Sequence, residues 1–248
     1  MTTSSSKRLE PERQLRFLQG AYSRLIQAVR KDHIDQGAVG GPHDFLHALM
    51  VAHYCVLIAE DERNGVLAWV AAICHNTDRL WPEAEESQIR TKVIHYLRDY
   101  CPGLDGLEAN IITRAVMNHH KPNDESDNVA TVTLKDADRV ANMGPNMVLR
   151  SGQHYHKLPA YDPRFIENPD PRATYRNPMT VLHDILCALE WAEEGGKFGI
   201  RSPRAKELMK PYVRFLKSFR DLMQQQLEET WLLGYPFPED LELAYAKK

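Results

Sequence analysis

The stretch VLAWVAAICHNTDRL, residues 66–80, decides the fold class of this chain. Residues 66–74 are apolar all round, which is typical of a helix that is buried on every side. The chain then turns polar at His75 and Asn76. Buried polar side chains cost free energy unless something binds them. The stretch therefore predicts a helical core whose central helix ends at a candidate functional site.

Helical periodicity continues on both sides of this stretch. Upstream, one helical unit begins near Pro11 and a second near Asp44, whose expected apolar stripe contains His47, Met50, Tyr54 and Leu57. Downstream, the pattern predicts helices over residues 87–100, 105–120, 129–142, 179–194 and 203–231, although the residues TVTL at 131–134 also fit a strand.

There is no internal repeat and no sustained strand alternation, so we predict an all-α fold with a single domain. The expected domain covers residues 11–235, with its core motifs in 43–142. A disordered tail at 1–10 and a C-terminal tail at 236–248 would flank it. The segment 151–178 is rich in proline, aromatic and charged residues, and loops of this length are usually functional or disordered. A specificity loop and a structural wrap around the core both stay open for it.

Composition narrows the class of protein. The chain has 248 residues and a formal charge of −3, which does not suggest a nucleic-acid binder. No apolar run approaches the roughly 20 residues that cross a bilayer, and the N-terminal residues lack the apolar core of a secretory signal. The four cysteines are far apart, which favours reduced thiols in a cytoplasmic protein. The oligomeric state stays open.

Two further segments carry residues of the same chemical kind as His75. His47 lies in HDFLHALMVAHYC, and Asp138 lies in LKDADRVANM. Imidazole and carboxylate groups are standard metal ligands, but these residues are 28 and 63 positions from His75, so no local motif forces them together. Asp136 stands two residues before Asp138 and points elsewhere on a helix. We expect it to be a solvated carboxylate or a group that holds a ligand histidine in its tautomer.

These three segments, in this order, resemble the His…His-Asp…Asp metal signature of the HD superfamily of phosphohydrolases. The resemblance extends over roughly residues 40–230, and the small bacterial HD proteins with a DADR-type late motif are the most similar branch. It implies an HD-domain helical bundle in which His47, His75, Asn76 and Asp138 hold a divalent metal ion. Mn²⁺, Mg²⁺, Fe²⁺, Co²⁺, Ni²⁺ and Zn²⁺ all stay open, and the mixed histidine and carboxylate ligands favour a transition metal over Mg²⁺.

Asn76 departs from the family pattern, because the signature has aspartate at this position. An amide oxygen is neutral, so it binds a cation more weakly than a carboxylate and bridges two ions poorly. Three interpretations stay open: drift to an enzyme with one metal, natural loss of catalysis, or an exchange introduced to trap substrate. Asp78 is either a nearby general base or substitute ligand, or a polar residue paired with Arg79.

The remaining candidate residues would contact the phosphate group and neutralise its charge. His119, with His120 beside it, ends an apolar helix where HD proteins often place further histidines. Phosphate esters need nearby cations, and Arg79 and Arg139 follow the motif residues most closely, ahead of Lys121 and Lys135. His43 and His53 are expected to be a helix-start residue and a partly buried core residue.

The resemblance predicts a phosphohydrolase that acts on a nucleotide or another small phosphorylated molecule through a metal-activated water. The main alternative is a catalytically degenerate HD module that binds a nucleotide or a partner without hydrolysis. An HD-type di-iron oxygenase ranks last, because its dinuclear centre needs a bridging carboxylate that Asn76 does not provide.

Overall fold

The computed structural model describes residues 10–174 and 176–246, so the predicted disordered tail at 1–10 lies almost wholly outside the described residues. The regular secondary structure of the described residues is helical, apart from one isolated bridge between Thr174 and Asn177, which confirms the all-α prediction. They divide into two compact units, one of residues 10–141 and 200–205 and the other of residues 142–174, 176–199 and 206–246. The predicted single domain over residues 11–235 stays a prediction as to its bounds.

The first unit contains eight helices among its described residues. They are α1 (Pro11–Ala21), α2 (Ser23–Asp35), α3 (Phe45–Ile58), α4 (Glu62–Cys74), α5 (Thr77–Leu80), α6 (Glu86–Tyr100), α7 (Gly106–Asn118) and α8 (Val129–Ala141). The segment predicted as one helical unit from Pro11 is two helices, with a break at Tyr22. The TVTL residues are helical within α8, so the strand alternative is wrong.

The second unit contains most of the long helix α11 and three shorter α-helices among its described residues. Its helices are α9 (Pro145–His154), α10 (Val181–Cys187), α11 (Pro203–Glu229, whose first residues belong to the first unit) and α12 (Pro238–Ala246). Short 3-10 turns occupy Pro163–Phe165 and Ala188–Ala192. The sequence pattern did not predict α9 or α12, so the expected loop at 151–178 begins inside a helix and the expected C-terminal tail contains one.

Helix α4 forms the centre of the first unit. Every residue from Asn64 to Cys74 is buried, as the apolar stretch predicts. Helix α3 packs against α4 and α8, and α4 also packs against α7 and α8. Asp61 caps the start of α4 by accepting a hydrogen bond from the backbone N–H of Asn64 at 2.8 Å. The Asn64 amide then donates to the Thr133 hydroxyl at 3.0 Å, which connects α4 to α8.

Helix α3 begins where the sequence predicts, but its buried face differs from the expected stripe. The Asp44 side chain caps the helix by accepting from the backbone N–H of His47 at 3.0 Å. Of the expected stripe only His47 is buried, while Leu57 is 37% exposed. The buried face instead carries small residues, which allow close approach to the neighbouring helices: Ala48, Val51, Ala52 and Cys55.

No helix among the described residues is both long enough and apolar enough to cross a membrane. All four cysteines lie within the described residues, and each is buried and free of a disulfide, as the sequence predicts.

His33 on α2 makes the stability of the protein depend on pH. Its ring is 1% exposed, Nδ1 lies 2.8 Å from the Val29 carbonyl oxygen, and Nε2 has no hydrogen-bond partner among the described residues. Burial lowers the pKa of His33, although the Val29 carbonyl and nearby carboxylates oppose this. The unfolded chain therefore takes up the proton first as the pH falls below the ordinary histidine value of about 6.5, and the folded state loses stability there.

We expect His33→Gln to flatten this dependence. The free energy of unfolding, measured with urea at pH 7.5 and at pH 5.5 in a chelator, should fall less in His33→Gln than in the wild type. His156→Gln is the control, because His156 is exposed and its replacement should leave the wild-type slope unchanged. Equal slopes in the wild type and His33→Gln would contradict the expectation.

Candidate metal centre

Four packed helices each bring one polar residue to the same place. His47 lies on α3 and Asp138 on α8, while His75 and His119 directly follow the last residues of α4 and α7. One nitrogen of His47, one nitrogen of His75 and one carboxylate oxygen of Asp138 all lie within 4.8 Å of one another. The structure thus brings together three of the four predicted ligands, although they are far apart in sequence.

The three donors lie close together, and two of them are buried. His47 Nε2 lies 3.2 Å from Asp138 Oδ1, and His75 Nε2 lies 3.9 Å from the same oxygen. Both histidines are buried, whereas the Asp138 side chain is 23% exposed, so the carboxylate is the side of the group that water reaches. Two imidazole nitrogens and one carboxylate oxygen are a ligand set that suits divalent transition metals and leaves coordination positions open.

Backbone carbonyls orient two of the rings. His75 Nδ1 donates to the Ala72 carbonyl, and His119 Nδ1 donates to the Val116 carbonyl, each at 2.6 Å. These acceptors belong to the last turns of α4 and α7, where carbonyls lack a partner within the helix. The bonds place the proton on Nδ1 and leave Nε2 of each ring as a lone-pair donor, as metal ligation requires. The negative partial charge of two helix C-termini also favours a cation here.

The protonation states of the group suit metal binding. Burial lowers the pKa of His75 well below its ordinary value, although the Asp138 charge opposes this, so the ring stays neutral. Burial alone would raise the pKa of Asp138, but the hydrogen bond with His47 opposes this, and the pKa is held far below its usual range. A neutral imidazole and an ionised carboxylate are the ligand forms of these residues.

Asn76 is buried beside this group and is held by the backbone. Its Nδ2 donates to the carbonyl oxygen of His43 at 3.4 Å, and the residue is 2% exposed. An aspartate carboxylate has no proton to give to that carbonyl, so the hydrogen bond suits asparagine. The sequence predicts His43 as a helix-start residue only. No sequence signal marks its role, because the group involved is a main-chain carbonyl.

His119 extends the group into a row of imidazoles. It is buried, its ring centroid lies 5.2 Å from that of His75, and His120 follows at 5.1 Å. The ring of His47 lies 5.3 Å from His75 on the other side. The structure therefore places His119 beside the three donors, where it can contact a molecule bound to them.

Asp78 and Arg79 lie on the short helix α5, immediately after Asn76. The Asp78 carboxylate has one oxygen, Oδ1, that is buried without a hydrogen-bond partner among the described residues. Its other oxygen lies 3.7 Å from Arg79 Nε, and the Arg79 side chain is 52% exposed. The pairing with Arg79 is thus loose, and Asp78 keeps an unused acceptor that suits a general base. Their catalytic roles stay predictions.

Three other charged residues of α8 have structural contacts instead. Asp136 is fully buried and accepts hydrogen bonds from the backbone N–H groups of Arg201 and Ser202 at 3.2 and 2.7 Å, so it is neither a solvated carboxylate nor a partner of a ligand histidine. Arg139 is buried and donates to the Asn123 side chain at 2.9 Å. Lys135 is buried and donates to the Asp127 carboxylate at 2.7 Å. These contacts do not fit the phosphate roles considered for Arg139 and Lys135.

Fold and site together define an all-α protein with a histidine–aspartate group that can hold a divalent metal. Residues 44–143 match the family model of the HD domain, and this range contains His47, His75 and Asp138. Residues 44–143 thus carry an HD domain, in agreement with the sequence resemblance to the HD superfamily.

Solved structures share this fold at low sequence identity. A protein from Lactobacillus plantarum matches with a TM-score of 0.60 and 17% identity over 85% of this chain and 98% of its own. An HD-superfamily hydrolase from Bacillus thuringiensis matches with a TM-score of 0.59 and 18% identity over the same shares, 85% and 98%. Bacillus subtilis YpgQ, solved in complex with ADP, matches with a TM-score of 0.54 and 15% identity over 82% and 97%. No curated protein is significantly similar to the chain in sequence.

Proposed function

We propose that this protein is a metal-dependent phosphohydrolase that acts on a nucleotide or another small phosphorylated molecule. The observation that carries the proposal is the convergence of His47, His75 and Asp138 within 4.8 Å from three different helices. The ADP bound to YpgQ supports a nucleotide as the substrate class, since that protein shares the fold.

Each residue of the site has a role in this proposal. His47, His75 and Asp138 would hold the ion, with the Asn76 amide beside them. A divalent ion bound there would lower the pKa of a water molecule and offset the negative charge of the phosphate. Asp78 Oδ1, which is buried and has no hydrogen-bond partner in the described part of the chain, would accept the proton from the attacking water. His119 would lie beside the bound phosphate, with its Nε2 lone pair free to accept a proton or to ligate, and the half-exposed Arg79 side chain would neutralise part of the phosphate charge.

The test is metal content together with hydrolysis. Protein purified without chelator should contain close to one divalent transition metal per chain by mass spectrometry of the elements. It should release phosphate from at least one member of a panel of nucleotides and sugar phosphates when Mn²⁺ is supplied. A chain that holds no metal and hydrolyses nothing on the panel would contradict the proposal.

A binding module without hydrolysis is the second candidate, and Asn76 is the observation that favours it. The hydrogen bond from Asn76 to the His43 carbonyl gives asparagine a defined place in the core of the site. A module of this kind would bind nucleotides with measurable affinity in calorimetry while leaving them intact, with or without added metal.

Asn76→Asp distinguishes the two candidates. A carboxylate adds negative charge to the ligand set, so the enzyme proposal expects metal affinity and hydrolytic rate to rise together. Since aspartate cannot donate to the His43 carbonyl, the metal-free variant should lose up to about 1 kcal/mol of unfolding free energy. Metal affinity is measured by competition with a fluorescent chelator, and the rate by phosphate release.

Asn64→Asp is the matched control for this substitution. Asn64 is also buried and also donates through Nδ2, to Thr133, but it stands at the opposite end of α4. The control should lose stability without any change in metal affinity or rate. If Asn76→Asp raises neither quantity, the site is organised around asparagine and the binding module is the better description.

A further inference from the structure

The second unit contains two copies of the tripeptide Asp-Pro-Arg, at residues 162–164 and 170–172. In each copy the buried aspartate accepts a hydrogen bond from the backbone N–H of its own arginine, at 3.0 and 2.9 Å. Each aspartate also accepts from two side-chain nitrogens of that arginine, the closest at 2.6 Å for Arg164 and 2.8 Å for Arg172. This two-point pairing fixes the plane of both guanidinium groups.

The two guanidinium groups converge on one carboxylate. Arg164 Nη2 donates to Glu242 Oε1 and Arg172 Nη1 donates to Glu242 Oε2, both at 3.0 Å. Glu242 belongs to α12, and its hydrogen bonds from Arg172 and Arg164 lower its pKa, so it is an anion at neutral pH. The arginines and Glu242 thus form a carboxylate clamp in which each carboxylate oxygen has its own arginine.

Helix α12 is held in place chiefly by polar contacts. None of its residues is buried, and Leu243 is 61% exposed. Apart from the clamp, Tyr245 donates to Asp162 at 2.8 Å and its ring lies 5.1 Å from the Arg172 guanidinium carbon. Glu242 itself is 47% exposed. Partly exposed ion pairs contribute little stability each and are weakened by salt, so the helix can leave without exposing a core.

We propose that Arg164 and Arg172 form an oxyanion site that α12 closes reversibly, and that the site accepts a phosphate group when Glu242 leaves. The buried aspartates hold the arginines whether or not α12 is present, so the departure of Glu242 leaves two directed donors facing solvent. Phosphate oxygens match the planar fork of arginine as carboxylate oxygens do. The clamp already accommodates one negative charge beyond those of Asp162 and Asp170, namely that of Glu242. This inference is independent of the metal centre and of the proposed hydrolysis.

Inorganic phosphate is the probe that tests the site. Binding is measured by calorimetry on the full chain in the presence of chelator. We expect Glu242→Ala to bind phosphate about three- to tenfold more tightly than the wild type, which is the effect of removing two partly exposed ion pairs that compete with the ligand. In the wild type, phosphate should also speed the amide hydrogen exchange of α12.

Two further variants complete the design. Glu239→Ala removes an exposed carboxylate from the first turn of the same helix, and should bind phosphate as the wild type does. The double variant Glu242→Ala with Arg172→Gln should lose the increase in phosphate affinity that Glu242→Ala alone produces. If Glu242→Ala and Glu239→Ala bind phosphate equally, or if the double variant binds as tightly as Glu242→Ala, Glu242 is a structural ion pair only and the proposal is wrong.

Discussion

Asp138→Ala is expected to remove nearly all bound metal and, with it, the hydrolytic activity. Asp138 is the anionic donor of the group, and its Oδ1 lies within 4 Å of both His47 Nε2 and His75 Nε2. Loss of residues that merely orient a metal ligand typically costs about 10–100-fold in affinity, so loss of the anionic ligand should cost at least about 100-fold. Metal affinity by chelator competition and phosphate release measure the two effects.

Asp136→Ala is the matched control, two residues earlier on the same helix. It should keep metal affinity near the wild-type value but lose about 1–3 kcal/mol of unfolding free energy, because the partly buried backbone N–H groups of residues 201 and 202 lose their acceptor. Asp138→Ala should lose less stability than this in the metal-free state. If Asp136→Ala lost metal and Asp138→Ala retained it, the assignment of the ligand would be wrong.

Asp127→Asn should have the largest effect on stability. The Lys135 side chain is fully buried and the Asp127 side chain is 3% exposed, with 2.7 Å between the ammonium nitrogen and the carboxylate. Burial already lowers the pKa of Lys135. After the substitution the ammonium has only neutral acceptors among these groups, the Pro122 carbonyl at 2.8 Å and the new side-chain amide oxygen, so its charge loses its counterion. Removing one partner of a buried pair typically costs about 3–5 kcal/mol, and we expect a loss of this size in urea unfolding.

Two comparisons sharpen this prediction. Lys135→Met should cost less than Asp127→Asn, because the Asp127 carboxylate keeps a second cation in Arg201, 2.8 Å away. Lys31→Met removes one member of an exposed pair with Asp35 on α2 and should change the unfolding free energy by no more than about 0.5 kcal/mol. Equal effects for Asp127→Asn and Lys31→Met would show that burial of the Asp127 pair has no energetic consequence.

Much of the fold was predictable because the apolar residues of a helix that packs on one face recur every three or four positions in the sequence. The apolar stretch of α4 predicts a central buried helix, and Asp44 predicts the start of α3. The buried face of α3 was not predictable from size and hydrophobicity, since Leu57 is exposed while alanines pack inward. Which apolar residues face the core depends on how closely neighbouring helices approach, and small residues decide that distance.

The candidate site was predictable in part for a different reason. His47, His75 and Asp138 lie in segments that resemble the HD signature, so the sequence predicts them as metal ligands. It does not predict how close together their side chains lie. The contacts of Arg139 and Lys135 could not be predicted from the sequence, because the charge of a side chain does not show whether it is buried. Both residues lie on the same helix as Asp138 and bind groups in the 122–127 segment, away from any phosphate role.

The amino-acid sequence by itself determined the helical class, the buried central helix and the order of the histidine and aspartate residues. These depend on local periodicity and on residue type, which a linear chain displays directly. The tertiary structure alone decided that Asp136 accepts from the backbone of residues 201 and 202, that Asn76 binds the His43 carbonyl, and that Glu242 binds Arg164 and Arg172. Each of these contacts joins elements far apart in sequence or uses a main-chain group, so only the packing of the helices creates it.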